Sequence, residues 1–366
     1  MTRLVLLGAG HAHTQVLQAL AREPLAPAQI TLVSPFAQLV YSGMVPGMVA
    51  GHYDGAACTI PIAPLAERAR ATFVQAAAVG LDAAAKRLRL DDGRELGYDV
   101  LSVDIGAVMD RDAIAGAREH ALFVRPIEHF MQLWHALLAR AAQQALDVAV
   151  VGGGAAGVEL ALALQFRLGG RSRIRLVTGG MPLLAAYPAA VRWLGRRALR
   201  RRGITLVEQT CRQVTADSLR LDNAASLPCD VALLAIGGSA PGWLAASGLA
   251  LDERGFIATG PTLQSTSHAA VFAAGDVASR TDAPRPRSGV YAVRAGPPLA
   301  LNLRRFIEGA ALQRYWPQAR SLNLLACGDK RAIVSWGPLA AEGRWAWRWK
   351  DRIDREFVGK FKGGSA

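Results

Sequence analysis

The stretch Leu4 to Ala19 (LVLLGAGHAHTQVLQA) joins a short apolar run to a helical pattern through two glycines. A second stretch, Val148 to Leu164 (VAVVGGGAAGVELALAL), repeats this order of strand, glycine-rich turn and helix. In such a turn the first glycine permits a tight bend, the second lets a diphosphate approach the backbone, and the third lets the helix pack closely on the strand. One such turn is weak evidence, but two in the same local context predict two dinucleotide-binding folds.

The two turns differ at the third glycine position. Gly152, Gly154 and Gly157 complete the GxGxxG pattern, whereas the first turn has Gly8 and Gly10 followed by His13. We therefore expect the first helix either to lie slightly away from its strand or to let the imidazole fill the gap.

Neither fold has the acidic residue that usually binds a ribose at the end of the next strand. Ser34 ends one strand (QITLVS) and Thr178 ends the other (RIRLVT). A serine can still hydrogen-bond a ribose, and at Thr178 no carboxylate repels a 2′-phosphate. The choice between NADH and NADPH is therefore left open.

Composition indicates a globular protein of two or three domains. The chain has 366 residues, of which 51% are hydrophobic and 19% charged. Its formal net charge of +13 favours anionic partners such as nucleotides or acidic lipid. The N-terminal apolar run is too short for a signal peptide and no transmembrane helix is expected, so we predict a cytoplasmic location.

The cysteines and histidines show no pattern of a redox or metal site. Cys58, Cys211, Cys229 and Cys327 form neither a CxxC pair nor a zinc half-site, which is typical of a reducing compartment. His11 and His13 lie inside a phosphate-binding turn, where packing roles are favoured over metal ligation. No metal is predicted.

Further along the chain, other motifs accompany the two turns in a fixed order. They are YSGMVPGMVAG (Tyr41 to Gly51), GVE after the second turn, AIG (Ala235 to Gly237), VFAAGDV (Val271 to Val277) and YAVRAGPPLALNL (Tyr291 to Leu303). With these motifs the chain resembles the two-dinucleotide-binding-domain flavoproteins of the pyridine nucleotide-disulfide oxidoreductase superfamily. Within it, the chain resembles type II NADH:quinone dehydrogenases and the oxidoreductase module found fused ahead of selenide, water dikinase.

The resemblance implies an α/β fold with two Rossmann-like domains, in which the second interrupts the first. We expect residues 1–115 and 256–325 to form an FAD domain, 116–255 an NAD(P) domain, and 326–366 a C-terminal region with an amphipathic helix. By the same resemblance Asp276 bonds a ribityl hydroxyl, while Met44 to Gly47 and Tyr291 to Gly296 flank the isoalloxazine. The residues expected at the two cofactors are Gly8, Gly10, His11, His13, Ser34, Met44, Pro46, Gly106, Gly152, Gly154, Gly157, Glu159, Thr178, Gly237, Gly275, Asp276, Tyr291, Ala292 and Val293.

Glu159 is the candidate catalytic residue. It lies two residues after Gly157, in the first turn of the second helix. The resemblance implies a role beside nicotinamide and flavin, in ordering the nicotinamide or in relaying a proton to an acceptor. Alternatively, the carboxylate simply complements the helix dipole.

The C-terminal region combines aromatic and basic residues. Trp345, Trp349, Ile353, Phe357 and Phe361 recur every four residues, which predicts that they lie along one face of an amphipathic helix. Seven basic and three acidic residues lie between Arg344 and Lys362. Such a helix suits an anionic membrane surface, but packing on the protein body or a homodimer seam are alternatives.

Three functions remain under consideration. The first is an NAD(P)H dehydrogenase with FAD and a quinone-like acceptor, and the second is a soluble flavin reductase in selenium or sulfur metabolism. The third is a nucleotide-binding or partner-binding module without turnover, suggested by the missing ribose acids. The arginine-rich run Val191 to Arg202 is interpreted as a solvated helix face, with membrane or polyanion binding as the alternative. No motif supports nucleic-acid binding.

Overall fold

The computed structural model describes residues 1–362, and its N-terminal part is built on a parallel sheet. The elements are β1 (Thr2–Leu7), α1 (His11–Arg22), β2 (Ala28–Ser34), β3 (Gln38–Val40), α2 (Val45–Val49), β4 (Thr59–Pro61), α3 (Ile62–Arg68), β5 (Ala71–Gln75), β6 (Ala78–Asp82), β7 (Arg87–Leu90), β8 (Glu95–Gly97) and β9 (Val100–Val103). Strand β1 lies between β2 and β9. Its residues Leu4 to Leu7 are all buried, as expected for a parallel sheet covered on both faces.

A second parallel sheet forms around the second glycine-rich turn. Its part of the chain contains α4 (Ala117–His120), β10 (Ala121–Phe123), α5 (Ile127–Gln143), β11 (Asp147–Val151), α6 (Ala155–Arg167), β12 (Arg173–Val177), α7 (Ala189–Arg201), β13 (Thr205–Val207), β14 (Cys211–Val214), β15 (Ser218–Leu221), β16 (Ser226–Pro228) and β17 (Val231–Leu234). The strand order is β10-β17-β11-β12-β13, and β14 to β16 form a separate antiparallel sheet.

The chain then returns to the first sheet. The elements of this segment are β18 (Ile257–Thr259), β19 (Val271–Ala273), β20 (Ala278–Arg280) and α8 (Gly289–Ile307). Strand β19 pairs with β9, which gives the first sheet the order β19-β9-β1-β2-β5, and α8 packs against α1. The α/β class with an interrupted first domain is therefore confirmed.

A small sheet and a helix complete the described chain. They are β21 (Leu322–Ala326), β22 (Ala332–Trp336), β23 (Leu339–Gly343) and α9 (Arg344–Gly359). The sequence predicted the helix but not the three-stranded antiparallel sheet, which begins before residue 326. Within residues 1–362, no helix combines the length and the apolarity needed to cross a bilayer.

One predicted strand was wrong. The sequence Phe73 to Val79 (FVQAAAV) by itself predicts a single strand, but the structure divides this segment between β5 and β6. The amide of Ala77 donates to the carboxylate of Asp91 at 2.9 Å, so the backbone leaves the parallel sheet there. Because both strands are apolar, the sequence pattern gives no sign of the break.

Candidate functional site

The first glycine turn is tightly closed against the strand that precedes Gly106. Gly8 has a φ of +91°, and a Cβ there would lie 2.4 Å from the carbonyl oxygen of Asp104. Only glycine combines that backbone conformation with so close an approach. Gly106 also has a positive φ and faces open space.

His13 fills the space of the missing third glycine. Its Nδ1 lies 2.6 Å from the Gly8 carbonyl and its Nε2 lies 2.8 Å from the Ser102 hydroxyl. Burial lowers the pKa of His13 to about 4, so the imidazole is neutral. It therefore donates from Nδ1 to Gly8 and accepts from Ser102, which is the second of the two arrangements that the sequence allowed.

The Asp104 side chain caps the N-terminal end of α1. The sequence did not indicate this residue as part of the site. Its Oδ2 accepts hydrogen bonds from the amides of Ala12 and His13, at 2.8 and 2.9 Å. The residue is only 2% exposed, and burial raises its pKa to about 6. A single aspartate after a buried strand matches no motif, so the sequence offered no signal for it.

Gly275 and Asp276 bring a third segment to the same place. Asp276 lies in the short helical turn Gly275–Val277, and its carboxylate is 3.1 Å from the guanidinium of Arg125. Arg125 follows β10, so a residue just beyond a strand of the second sheet contacts the predicted ribityl-binding residue. Tyr291, Ala292 and Val293 lie within the first five residues of α8, where the Val293 carbonyl accepts from Gln15 of α1.

Two other predicted residues of the first fold have local partners. Ser34 is only 4% exposed, and its hydroxyl bonds within its own turn, to the backbone of Phe36. His11 lies edge-on to Tyr41 with ring centroids 5.4 Å apart. Its buried Nε2 has no hydrogen-bond partner among residues 1–362.

The loop from Tyr41 to Val49 is held by the C-terminal helix. Met44 and Pro46 are buried in it. The Lys350 ammonium of α9 donates to the Gly43 carbonyl at 2.6 Å and to Asp354 at 2.7 Å. Burial and the nearby negative charge of the same Asp354 carboxylate raise the pKa of the Tyr41 hydroxyl. This loop is the one expected to flank a flavin.

The glycines of the second turn leave room for a diphosphate. A Cβ at Gly152 would lie 2.3 Å from the carbonyl oxygen of Ala235, and one at Gly157 would lie 1.8 Å from that of Gly152. Gly154 and Gly237 are exposed and meet nothing within 4 Å, which leaves the space that a diphosphate needs. The residues present therefore fit a dinucleotide at the start of α6.

Thr178 ends β12 beside this turn. A Cβ at Gly153 would lie 2.9 Å from the Thr178 Cβ, and the buried Thr178 hydroxyl has no partner in the described part of the chain. The position of the usual ribose acid is thus held by a neutral group.

Glu159 lies between the second fold and the C-terminal region. Its Oε1 accepts from the Ala326 amide of β21 at 2.7 Å. Desolvation raises the pKa of Glu159 to about 7, and the positive charge of Lys350 opposes that rise. Helix α6, which carries Glu159, also packs against α2 of the Tyr41–Val49 loop. Glu159, whose carboxyl can gain and lose a proton near neutral pH, therefore lies on the helix that packs against the Tyr41–Val49 loop.

The cysteines contribute no redox pair. All four are buried free thiols, and burial raises the pKa of Cys229 to about 11 and that of Cys58 to about 12. Thiols of such high pKa carry almost no thiolate at neutral pH and are poor nucleophiles. Across residues 1–362, no group of three or more His, Cys, Asp or Glu side chains could hold a metal ion.

Comparisons with known proteins agree with this architecture. The model of the family described as pyridine nucleotide-disulphide oxidoreductase matches residues 2–296. The demethylphylloquinone reductase NdbB of Synechocystis sp. is 27% identical over 351 residues, covering 91% of this chain and 86% of that protein.

Solved structures show the same fold at low sequence identity. The sulfide:quinone oxidoreductase of Aquifex aeolicus superposes with a TM-score of 0.81 at 18% identity, covering 99% of this chain and 92% of that one. NDH2 of Plasmodium falciparum, in complex with NADH, gives a TM-score of 0.77 at 14% identity, with 98% and 97% covered.

Proposed function

The chain belongs to the pyridine nucleotide-disulphide oxidoreductase family, and we propose that it is an NAD(P)H dehydrogenase that reduces a quinone-like acceptor. Its cofactors are FAD and NAD(P)H. When bound, they supply hydride transfer from the nicotinamide to the flavin and release of the electrons to the acceptor. The protein supplies position, electrostatics and protons.

The observation that carries the proposal is the packing of α6 against α2. Helix α6 begins at the second glycine turn, and α2 belongs to the loop expected beside the flavin. Because α6 joins the second glycine turn to α2, we infer that a nicotinamide nucleotide held at the start of α6 faces the side of the molecule that carries this loop. Hydride transfer requires such proximity of the two cofactors.

Two facts support a quinone-like acceptor: the state of the cysteines and the name of a related protein. Disulfide reduction needs a reactive cysteine pair, whereas these four thiols are free and buried. The relative with 91% coverage of this chain is named for its reduction of demethylphylloquinone, a quinone. A quinone-like acceptor, which takes electrons and protons without a protein thiol, is consistent with both facts.

Glu159 is proposed as the proton donor for the acceptor. A quinone takes up protons when it is reduced, and Glu159 has a pKa of about 7 because it is desolvated. At that pKa the carboxyl is protonated in a large share of molecules at neutral pH. The residue could also order the nicotinamide, and separate measurements of flavin reduction and acceptor reduction distinguish these roles.

Helix α9 is proposed to bring the protein to a membrane surface that holds the quinone. Trp345, Trp349 and Ile353 are exposed, and the two indole rings stack with centroids 6.5 Å apart. Arg348 and Arg352 are exposed on the same stretch. Indole and guanidinium groups together favour the headgroup region of an anionic bilayer.

Anaerobic titration of the purified holoprotein tests the proposal. NADH or NADPH should bleach the flavin absorbance, and a quinone analogue should restore it. Absence of bound flavin would contradict the cofactor assignment, and bound flavin that neither nucleotide bleaches would favour a non-catalytic module. Reoxidation by selenium or sulfur acceptors, without any by the quinone, would favour the flavin reductase instead.

A further inference from the structure

Asp104 places a carboxylate where the first fold should bind an anion. Its Oδ2 accepts from the amides of Ala12 and His13 at the start of α1, at 2.8 and 2.9 Å. The diphosphate of a dinucleotide binds at the same helix end, because the free amides and the helix dipole favour negative charge there. A protein carboxyl and a ligand diphosphate must therefore share one helix terminus.

The second carboxylate oxygen of Asp104 lies between two glycine turns. A Cβ at Gly10 would lie 2.5 Å from Cγ and from both oxygens of this carboxylate, and a Cβ at Gly275 would lie 2.4 Å from Oδ1. The absence of side chains at both positions is what gives the carboxylate its room. These two turns are the ones that the resemblance to the two-domain flavoproteins assigns to the diphosphate and the ribityl chain of FAD.

An ionised Asp104 would repel a diphosphate at this position. The helix terminus offers roughly half a positive charge, which cannot balance a carboxylate and a diphosphate together. The carboxyl is 98% buried, so solvent does not screen the repulsion well. A protonated carboxyl removes the repulsion and becomes a donor, while Oδ2 can keep both amide hydrogen bonds.

We propose that Asp104 is a diphosphate-binding residue of the FAD site, and that FAD binds to the form in which this carboxyl is protonated. The proton comes from solvent, and Oδ1 donates it in a hydrogen bond to a phosphate oxygen. The inference rests on the assignment of FAD to the first fold and adds a residue that no motif of the sequence indicates.

Other ionisable groups near Asp104 must be separated from it. His11 and His13 face it from α1, and Asp276, which is paired with Arg125, faces it from the turn after β19. His13 is neutral, and burial lowers the pKa of His11 below its usual value. Burial raises the pKa of Asp104 to about 6, which makes its protonation the accessible event between pH 6 and 8.

The test is the equilibrium dissociation of FAD from diluted holoprotein at pH 6, 7 and 8, followed by flavin fluorescence. If binding takes up about one proton, the Kd of the natural protein should rise roughly 20- to 50-fold from pH 6 to pH 8. Asp104→Asn keeps an acceptor for the amides and a permanent donor, so its Kd should change less than about threefold and lie below that of the natural protein at pH 8.

Matched variants decide the interpretation. Asp99→Asn removes a carboxylate that is paired with Arg3 on the protein surface and ionised throughout this range, so it should keep the pH dependence. Asp104→Ser also offers a neutral donor, so its Kd for FAD should lose the pH dependence. The serine variant replaces the asparagine variant if the latter does not fold.

Two results would overturn the inference. One is a flat pH profile of the natural protein, and the other is an unchanged slope in the Asp104 variants, which would place the titration on His11. A natural protein that binds no FAD at any pH would instead contradict the cofactor assignment itself.

Discussion

Replacing Lys350 by methionine tests whether the C-terminal helix holds the loop beside the proposed flavin site. The Lys350 and Asp354 side chains are only 12% and 6% exposed, and the ammonium also donates to the Gly43 carbonyl. Removing one partner of a buried ion pair leaves the other charge uncompensated, which typically costs 3–5 kcal/mol. Because burial raises the pKa of Asp354, its carboxyl can take up a proton once the ammonium is gone, so we expect a loss near the low end of this range, about 3 kcal/mol.

The measurement is the Tm of the holoprotein at pH 7.5. A loss of that size corresponds to a decrease of roughly 6 °C, at about 2 °C per kcal/mol for large domains. Lys360→Met changes an exposed lysine of the same C-terminal segment and should leave the Tm within about 1 °C. Combining Lys350→Met with Asp354→Asn should recover much of the loss, because neither side chain is then charged. Equal effects of Lys350→Met and Lys360→Met, or no recovery in the double variant, would refute the reasoning.

Three further predictions address the nucleotide, the proton and the membrane. Gly157→Ala should abolish flavin bleaching by NAD(P)H while FAD stays bound, because the added Cβ would lie 1.8 Å from the Gly152 carbonyl oxygen; unchanged bleaching would contradict the proposed nucleotide site. With a pKa of about 7, Glu159 loses its proton as pH rises, so acceptor reduction should decline above pH 7. Glu159→Gln should slow acceptor reduction about 100-fold and remove its decline above pH 7; slowed reduction of the flavin by NAD(P)H would point to nicotinamide ordering instead. Changing Trp345 and Trp349 together to serine should weaken binding to anionic vesicles roughly tenfold, whereas changing the exposed Trp316, which lies outside α9, to serine should not. Equal binding by the natural protein and both variants would exclude docking through α9.

The sequence predicts those parts of the fold that depend on neighbouring residues. A glycine with positive φ, a buried parallel strand and a helix start all leave local patterns, so both glycine turns and the order of the two domains could be anticipated. The same reasoning predicted two arrangements for His13 but could not choose between them. That choice depends on Ser102, which is 89 residues away in the sequence.

The electrostatics of the site could not be predicted for a related reason. Asp104 meets α1 across 92 residues, Glu159 meets Ala326 across 167, and Lys350 meets Gly43 across 307. None of these partners is related by helical or strand periodicity. The raised pKa values of Asp104 and Glu159 follow from burial at these long-range contacts, which appears only once the domains are assembled.

The geometry of α9 shows why the sequence could not decide between membrane docking and packing on the protein. Residues spaced by four advance about 40° around a helix at each step, so the series from Trp345 to Phe361 cannot share one face. The structure divides it accordingly: Phe357 and Phe361 are buried against the first fold, while Trp345, Trp349 and Ile353 remain exposed. The Phe361 carbonyl accepts from Arg68, which fixes the buried end in place. Packing on the protein therefore accounts for the end of this segment that contains Phe357 and Phe361, whereas membrane docking stays a proposal for the exposed tryptophans, which the buried end holds in a fixed orientation.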